Sequence, residues 1–471
     1  MNRQELKATV SIALLYVVRM LGLFMVLPVL PLMADSIESA TPFLIGLALG
    51  AYGLSQAVLQ IPMGIWSDRF GRKRVVAIGL IIFIIGSLVA GFSDDIYGII
   101  LGRFLQGCGA IASTLLALVG DVTETANRSK AMAIVGMSIG ASFGIALVIG
   151  PLINVHFGVE GLFFTTAVLG CLGLLVLTTF PRLDTHSTNP ETFLYLERLG
   201  AVVKNRGMMR TTIGVFVLHY LLMSSFVVFP LLMQATGEIE LASHHLYYFF
   251  LLLITFILMA PLMRLSDRKG YALRLAIGMI ATFIAANVVL ASSHQFYVVM
   301  LGMVLFFMAF NLLEVVLPAI VSRIAPAGFR GTAMGVYTTA QFAGAFMGGA
   351  VGGFILGGWE IAYVLWVNAL ICVVWIGVTM GLSAEAELRS RVETLVFSYA
   401  GTAYARSSGT SSGTSSGMSS GMSSQEVLNA VLSIKGVLGA ELVEAEEIAY
   451  LKIDSDELDT LALDKLRQTA V

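Results

Sequence analysis

Gly64-Ile65-Trp66-Ser67-Asp68-Arg69-Phe70-Gly71-Arg72-Lys73-Arg74 is a charged turn set between two apolar runs, 43–66 and 75–92. Each run is close to the ~20 residues that a helix needs to cross a hydrocarbon core of ~30 Å. Its Pro62, Ser67, Asp68, Arg69 and Gly71 recur later in the chain as Pro261, Ser266, Asp267, Arg268 and Gly270. A second echo pairs Arg128, Ala131 and Met132 with Arg330, Ala333 and Met334. Duplication of a multi-helix membrane unit points to a carrier whose two halves rock about a central site. A channel or a membrane-bound enzyme does not require it.

The rest of the chain has the same character. Of 471 residues, 57% are hydrophobic and 12% are charged, against roughly a quarter charged in soluble domains, which excludes a water-soluble enzyme. Apolar runs lie near 9–34, 43–66, 75–92, 96–121, 130–155, 160–180, 208–234, 245–265, 271–291, 296–322, 332–357 and 361–383, predicting twelve spans. Odd-numbered connections hold Asp35, Glu38, Asp94, Asp95, Glu160, Glu238, Glu240 and Glu360 with no Lys or Arg. The amino terminus and the even connections hold the bases, among them Arg3, Lys7, Arg182, Arg264 and Arg323. By the positive-inside rule both termini are cytoplasmic. The first run is too long for a signal peptide and lacks a small-residue cleavage site. Cys108, Cys171 and Cys372 all fall inside spans, so neither a disulfide framework nor a thiol metal motif is expected. No cofactor, metal or nucleic-acid partner is expected; the lipid bilayer is.

The connection 181–207 divides the spans six and six, giving halves 1–180 and 208–384 joined by a cytoplasmic linker. A module at 385–471 follows, interrupted by Ser-Ser-Gly repeats at 407–424 that cannot build a core. Val392 to Ser398, Val437 to Val443 and Ile448 to Ile453 read as strands, with helices capped by Ser424 and Ser455. The order βαββα makes a small cytoplasmic α+β module, most of a ferredoxin-like unit. From residue 423 onward it carries ten acids and four bases, an acidic surface able to dock on Arg69, Arg72, Lys73 and Arg74. A solvated accessory domain is the plainer alternative.

The turn at Gly64–Arg74, with its copy at Asp267, Arg268 and Gly270, resembles the signature that transporters of the major facilitator superfamily place between their second and third helices. Gly64 permits close helix contact and Gly71 a tight turn. Asp68, Arg69 and Arg72, with Asp121 as partner, suit a charge cluster that holds the halves together when the cytoplasmic side is shut. Arg103, Gln106 and Gly107 resemble the arginine-glutamine-glycine motif of proton-coupled members. An arginine in a span must face a partner or a wet cavity, and bonding to neighbouring carbonyls is the structural alternative. Gly136, Gly140, Gly144 and Gly150-Pro151 resemble the antiporter motif of drug exporters, with Ala146 and Asn154 where further glycines belong. Small residues at this spacing also serve tight helix packing.

The resemblance implies an all-α twelve-helix membrane fold of two six-helix halves in a bacterial inner membrane, with spans one, four, seven and ten lining a central cavity. Arg19, His219 and Glu314 lie in three of those spans, nine or ten residues from the cytoplasmic ends of the runs, roughly 14 Å deep. Asn311, Gln56 and Gln341 fall at comparable depth. Glu314 and His219 thus become candidates for proton exchange, with Arg19 beside them; a static Arg19–Glu314 pair and a packing histidine are the alternative. The function expected is a secondary carrier driven by the proton gradient, exporting small amphipathic or drug-like molecules by alternating access. A carrier of small organic anions held by Arg19, and a transporter-derived sensor signalling through its tail, remain open. No nucleophile-base set supports an enzyme.

Overall fold

The computed structural model describes residues 1–123, 127–179, 199–266, 271–325, 330–381, 392–398, 424–443, 448–454, 458–459 and 461–463. Helix α1, Arg3–Phe24, begins with a capping box: Asn2 accepts from the Glu5 amide at 2.8 Å, and the Glu5 carboxylate accepts from the Asn2 amide at 2.8 Å. It therefore starts before the apolar run does. It also stops short of residue 34, because Pro28 and Pro31 cannot continue an α-helix; a 3-10 helix, Leu30–Ser36, follows instead.

Helix α2, Pro42–Phe70, is capped by Thr41 and stopped by Gly71, whose φ of 92° is a left-handed conformation that glycine adopts without strain. Helix α3 is Arg72–Gly91. The expected fourth span is broken into α4, Ile96–Cys108, and α5, Ala112–Val122. At the break, a Cβ on Gly109 would lie 2.3 Å from the Gly79 carbonyl oxygen, so main chain passes against main chain. Helix α6, Arg128–Thr178, is 51 residues long. At 1.5 Å per residue it is more than twice the ~30 Å hydrocarbon thickness. Gly158, at φ 67° and ψ −172°, interrupts it and divides the fifth span from the sixth.

After the connection come α7, Arg206–Ala235; α8, His244–Ser266; α9, Tyr271–Ser292; α10, Phe296–Ile324; α11, Arg330–Gly358; and α12, Ile361–Met380. Among the described residues, 11 helical stretches are long and apolar enough to cross a membrane, the one at Lys130–Thr178 being a single stretch of 49 residues. With its break at Gly158, the arrangement matches the twelve runs of the sequence.

The two halves meet most closely through α2 and α11. A Cβ on Gly46 would stand 2.2 Å from the Gly349 carbonyl oxygen, one on Gly50 2.7 Å from that of Phe346, and one on Gly353 2.5 Å from that of Pro42. The other face of α11 is equally tight: a Cβ on Gly344 or Gly348 would lie 2.1 or 2.2 Å from the carbonyl oxygens of Phe216 and Tyr220 on α7. Glycine on two faces wedges α11 between α7 and α2, since small residues allow backbones to approach within a membrane. This seam lies toward the start of α2. The charged turn at its other end takes no part in it.

In the tail, β1, Val392–Ser398, β2, Val437–Val443, and β3, Ile448–Asp454, form an antiparallel sheet of order β1-β3-β2. Leu451 of β3 pairs with Leu395 on one side and Ala440 on the other. Helix α13, Ser424–Leu432, contributes Val431 to a small core with Ile434, Leu451, Ile453 and Leu463. The Ser-Ser-Gly repeats up to Ser423, the cap at Ser455 and most of the linker lie outside the described residues.

Candidate functional site

His219 on α7, Gln341 on α11 and Glu314 on α10 converge. The Nδ1 of His219 lies 3.2 Å from the carbonyl oxygen of Val215, one helical turn earlier. That carbonyl can only accept, so Nδ1 carries the hydrogen and Nε2 keeps its lone pair. The Gln341 amide nitrogen donates to it at 2.8 Å. Glu314 closes the group from a longer range, its Oε2 at 3.6 Å from His219 Nε2 and its Oε1 at 3.5 Å from Gln341 Nε2. Those separations are too long for strong hydrogen bonds.

The imidazole is sealed, at 7% exposure, whereas the Glu314 side chain is 35% exposed and forms the open edge of the cluster. Glu314 Oε2 and Asn311 Nδ2, one turn apart on α10, have no hydrogen-bond partner among the described residues. The Tyr337 hydroxyl on α11, one turn before Gln341, is also without one. Tyr337 is absent from the sequence-derived set, because a tyrosine within an apolar run reads as packing. Its signal is the four-residue spacing to Gln341, which puts both on one face.

Arg19 stands elsewhere. The structure turns it into the amino-terminal half, where its Nη2 donates to the Tyr52 hydroxyl at 2.7 Å and to Gln56 Oε1 at 2.9 Å. Gln56 in turn donates to Gln60 at 2.7 Å. The guanidinium carbon is 5.9 Å from the ring centres of both Tyr52 and Phe83, and the side chain is 1% exposed. Among the described residues no carboxylate lies within 4.0 Å of it. Neutral oxygens and aromatic faces take the place of a counter-ion. Arg19, His219 and Glu314 are thus not one group at one level. Because α1 begins at Arg3, Arg19 is about 24 Å along it, against about 15 Å for Glu314 from the end of α10.

Arg103 and Gln106 are buried in the same half. Arg103 donates to Gln106 Oε1 at 3.0 Å and to the Ala48 carbonyl at 3.4 Å, and Gln106 donates to the Ser87 hydroxyl at 2.9 Å. The Arg103 guanidinium is 5.4 Å from the centre of the Tyr52 ring. Tyr52, also unmarked by the sequence, therefore sits between two buried arginines. Its ring is 6.3 Å from that of Phe342 on α11.

At the charged turn Arg72 pairs with Asp68, lies 3.1 Å from Asp121 through Nε, and donates to the Ser67 hydroxyl at 2.6 Å. Ser67 donates to the Gly64 carbonyl at 2.6 Å, and Gly64 faces Ser113 of α5. The cluster fastens α2, α3 and α5, all in one half, with Arg69 exposed at its rim. The contacts of Arg72, Ser67, Gly64 and Asp121 given above all stay within that half, and the halves are joined at the opposite end of α2. Asp267 and Arg268 lie outside the described residues. On α6, Ala146 is buried and the Asn154 amide lies 3.7 Å from the Met33 sulfur.

The chain as a whole is similar to known proteins. A family model described as Major Facilitator Superfamily matches residues 12–349 and 211–395. The inner membrane transport protein YajR of Escherichia coli K12 is 37% identical over 97% of this chain and 96% of its own. An uncharacterized transporter of Buchnera aphidicola from Acyrthosiphon pisum, BU466, is 35% identical over 74% of this chain and 90% of its own. Among solved structures, a D-xylose-proton symporter superposes with a TM-score of 0.64 at 15% identity, over 81% of this chain and 97% of its own, which is a likeness of fold. With a family match across its helical core and a relative alike along nearly its whole length, the chain belongs to the Major Facilitator Superfamily and is a membrane carrier rather than an enzyme.

Proposed function

We propose that the chain is a proton-coupled exporter of small amphipathic molecules, with His219, Gln341 and Glu314 as its proton-handling group. The observation that carries this is the cluster itself: an imidazole whose Nε2 accepts from a bridging amide, beside a partly exposed carboxylate with one oxygen unpartnered among the described residues. A proton arriving at Glu314 has His219 3.6 Å away. Gln341 can present either its NH2 or its carbonyl oxygen to the imidazole, so its flip accommodates both protonation states. The glycines of α6 support export as the direction. The test is proton movement in proteoliposomes under an imposed pH gradient, challenged with cationic, neutral and anionic amphipaths. Substrate-dependent flux in wild type that vanishes in Glu314→Gln supports the proposal; equal flux in both removes Glu314 from the mechanism.

Sidedness follows from the bases: the end of α2 bearing Arg69, Arg72, Lys73 and Arg74 is cytoplasmic, as are both termini, in a bacterial inner membrane. On that assignment the α2–α11 seam closes the outer side and the conformation is open inward. The Asp68–Arg72–Asp121 cluster would then meet the second half, where Asp267 and Arg268 lie, once the inner side shuts. The halves are taken as 1–180 and 208–384. The tail, 385–471, is read as a ferredoxin-like module, a reading supported by β3 lying antiparallel between β1 and β2, and its acidic surface as a ligand for the basic turn.

A second reading, a carrier of small organic anions, is favoured by one observation: Arg19 is fully buried and, among the described residues, faces only neutral acceptors and leaves its Nε unpartnered. Arg19→Gln separates the two, since it abolishes anion-driven flux on the second reading and spares cationic cargo on the first.

A further inference from the structure

Two consecutive residues of α11 reach two different neighbours. Gln341 bonds to His219 of α7, while the ring of Phe342 lies 6.3 Å from that of Tyr52 on α2. Tyr52 and Phe342 are both buried. A Cβ on Gly53 would stand 2.6 Å from the Phe342 carbonyl oxygen and 3.2 Å from the Phe346 amide nitrogen, so α2 presses on the main chain of α11 at the same place. Here the glycine seam between the halves ends, for the next glycine along α2, Gly64, faces Ser113 of its own half. Gln341 is thus one residue from the innermost glycine contact of the seam.

Tyr52 offers Phe342 a fixed surface. Its hydroxyl accepts from Arg19 at 2.7 Å, and the Arg103 guanidinium is 5.4 Å from the centre of its ring. Arg103 is held in turn by Gln106 and the Ala48 carbonyl. On the other face of α11, Gly344 brings the backbone against Phe216 of α7. With the seam closed, this part of α11 is pressed from both sides, and the Gln341 amide stands as a donor to His219 Nε2. A protonated imidazole needs the reverse arrangement: Nε2 then donates, and Gln341 must offer its carbonyl oxygen.

We infer that Phe342 is a positioning residue that ties the protonation of His219 to the opening of the seam. While Tyr52 and Gly53 hold Phe342, Gln341 keeps its NH2 on the imidazole and His219 stays neutral. When the seam parts, Phe342 loses that support and the amide turns its oxygen to a protonated ring. The effect is mutual: proton uptake by His219 favours the open seam by the same factor as the open seam favours proton uptake. In a proton-driven exporter the open seam faces outward, the side from which protons enter. The inference rests on the proton-handling role proposed for His219 and adds the residue through which the opposite half acts on it. Of the elements packed on α7, α10 brings Glu314 to 3.6 Å from Nε2, α11 carries Tyr337, α12 Cys372, α2 Tyr52 and the 3-10 helix Asp35, while Arg206 and Arg210 lie in the first turns of α7 itself. Among the described residues Glu314 is the acid within 4.0 Å of the imidazole, so a variant of His219 is needed to separate the two titrations.

The test reads the seam directly. Full-length protein with its native cysteines replaced by alanine carries spin labels at Glu38→Cys and Trp359→Cys, and the ratio of long to short distances is measured in nanodiscs between pH 8.5 and pH 5.5. In the parent this open-to-closed ratio should rise by at least about five-fold as the pH falls, the lower end of ordinary coupling between sites. In His219→Gln it should not respond to pH. Phe342→Ala is expected to cut the rise to less than about two-fold, and Phe342→Leu, which keeps most of the bulk, to retain it. Tyr52→Ala should act as Phe342→Ala does, and the double variant should lose no more than either, as expected of two residues working through one contact. Phe346→Ala is the control, one turn further along the same seam and away from Gln341: it should shift the ratio by one constant factor at every pH. A full rise in Phe342→Ala, a flattened one in Phe346→Ala, or no rise in the parent would overturn the inference. If substrate-driven proton flux accompanies any of those results, Phe342 is removed and the carrier reading stands; absence of that flux in the parent removes the carrier reading itself.

Discussion

The amide nitrogen of Gln341 stands 2.8 Å from Nε2 of His219, which makes a residue of α11 the partner of a buried imidazole on α7. Glycines 344 and 348 bring the two helices into backbone contact just beyond this pair, so its geometry is set by main-chain packing rather than by flexible side chains. Replacing Gln341 by Leu leaves His219 Nε2 without a donor, at a cost of about 1–3 kcal/mol for a buried unsatisfied polar group. A lower melting temperature and a changed pH profile of transport are expected. Gln341→Glu, which restores an acceptor for a protonated imidazole, should recover the stability and alter the profile in a different way.

Arg19 gives the opposite expectation. Its cation rests on Tyr52, Phe83 and Gln56 and touches neither His219 nor Glu314. Arg19→Lys loses the planar fork that serves two acceptors at once, so thermal stability should fall by a few degrees while the number of protons moved per substrate stays at the wild-type value. A changed proton count would return Arg19 to the cavity.

At the seam between the halves, Gly46→Val drives a branched side chain into the main chain of Gly349 and Gly353. Overpacking of this kind costs about 1–3 kcal/mol, which is a shift of about five- to 160-fold against the conformation closed there. Spin labels on Glu38→Cys and Trp359→Cys should show a longer distance distribution in the valine variant than in its parent. Identical distributions would mean that the seam does not set the equilibrium.

The charge cluster is partly exposed, so its ion pairs add little to stability, about 0–1 kcal/mol. Asp121→Asn is therefore expected to leave the melting temperature nearly unchanged while slowing transport several-fold, the Arg72 fork having lost one of its two carboxylates. A large drop in melting temperature with an unchanged rate would mark the cluster as purely structural.

Much of this was readable from the residues alone, and the reasons for the remainder are physical. Span positions followed from run length, and Gly71 announced its turn. Run length failed at α1, where Asn2 and Glu5 extend the helix by capping and Pro28 and Pro31 end it. It was blind to the break at Gly109, because a backbone crossing leaves no mark on hydropathy. Depth arithmetic put Arg19, His219 and Glu314 at one level with Gln341, whereas the structure places His219, Glu314 and Gln341 side by side and Arg19 apart. The early start of α1 shifts the level of Arg19, and depth in any case says nothing of the face on which a side chain lies. Tyr52 and Tyr337 went unmarked because their rings satisfy an apolar pattern while their hydroxyls do not. The α6 glycines were ambiguous for the same reason: spacing is identical whether a neighbouring backbone or open space lies opposite.

The most direct test of proton handling is the number of protons released when substrate binds, read with a pH-sensitive dye in weakly buffered detergent solution using dodecyltrimethylammonium. Release of a proton per bound cation by the wild type, and none by Glu314→Gln at saturating ligand, is the predicted result. Binding with no proton release in the wild type, or equal release in both proteins, would contradict the assignment of His219, Gln341 and Glu314 as the coupling group.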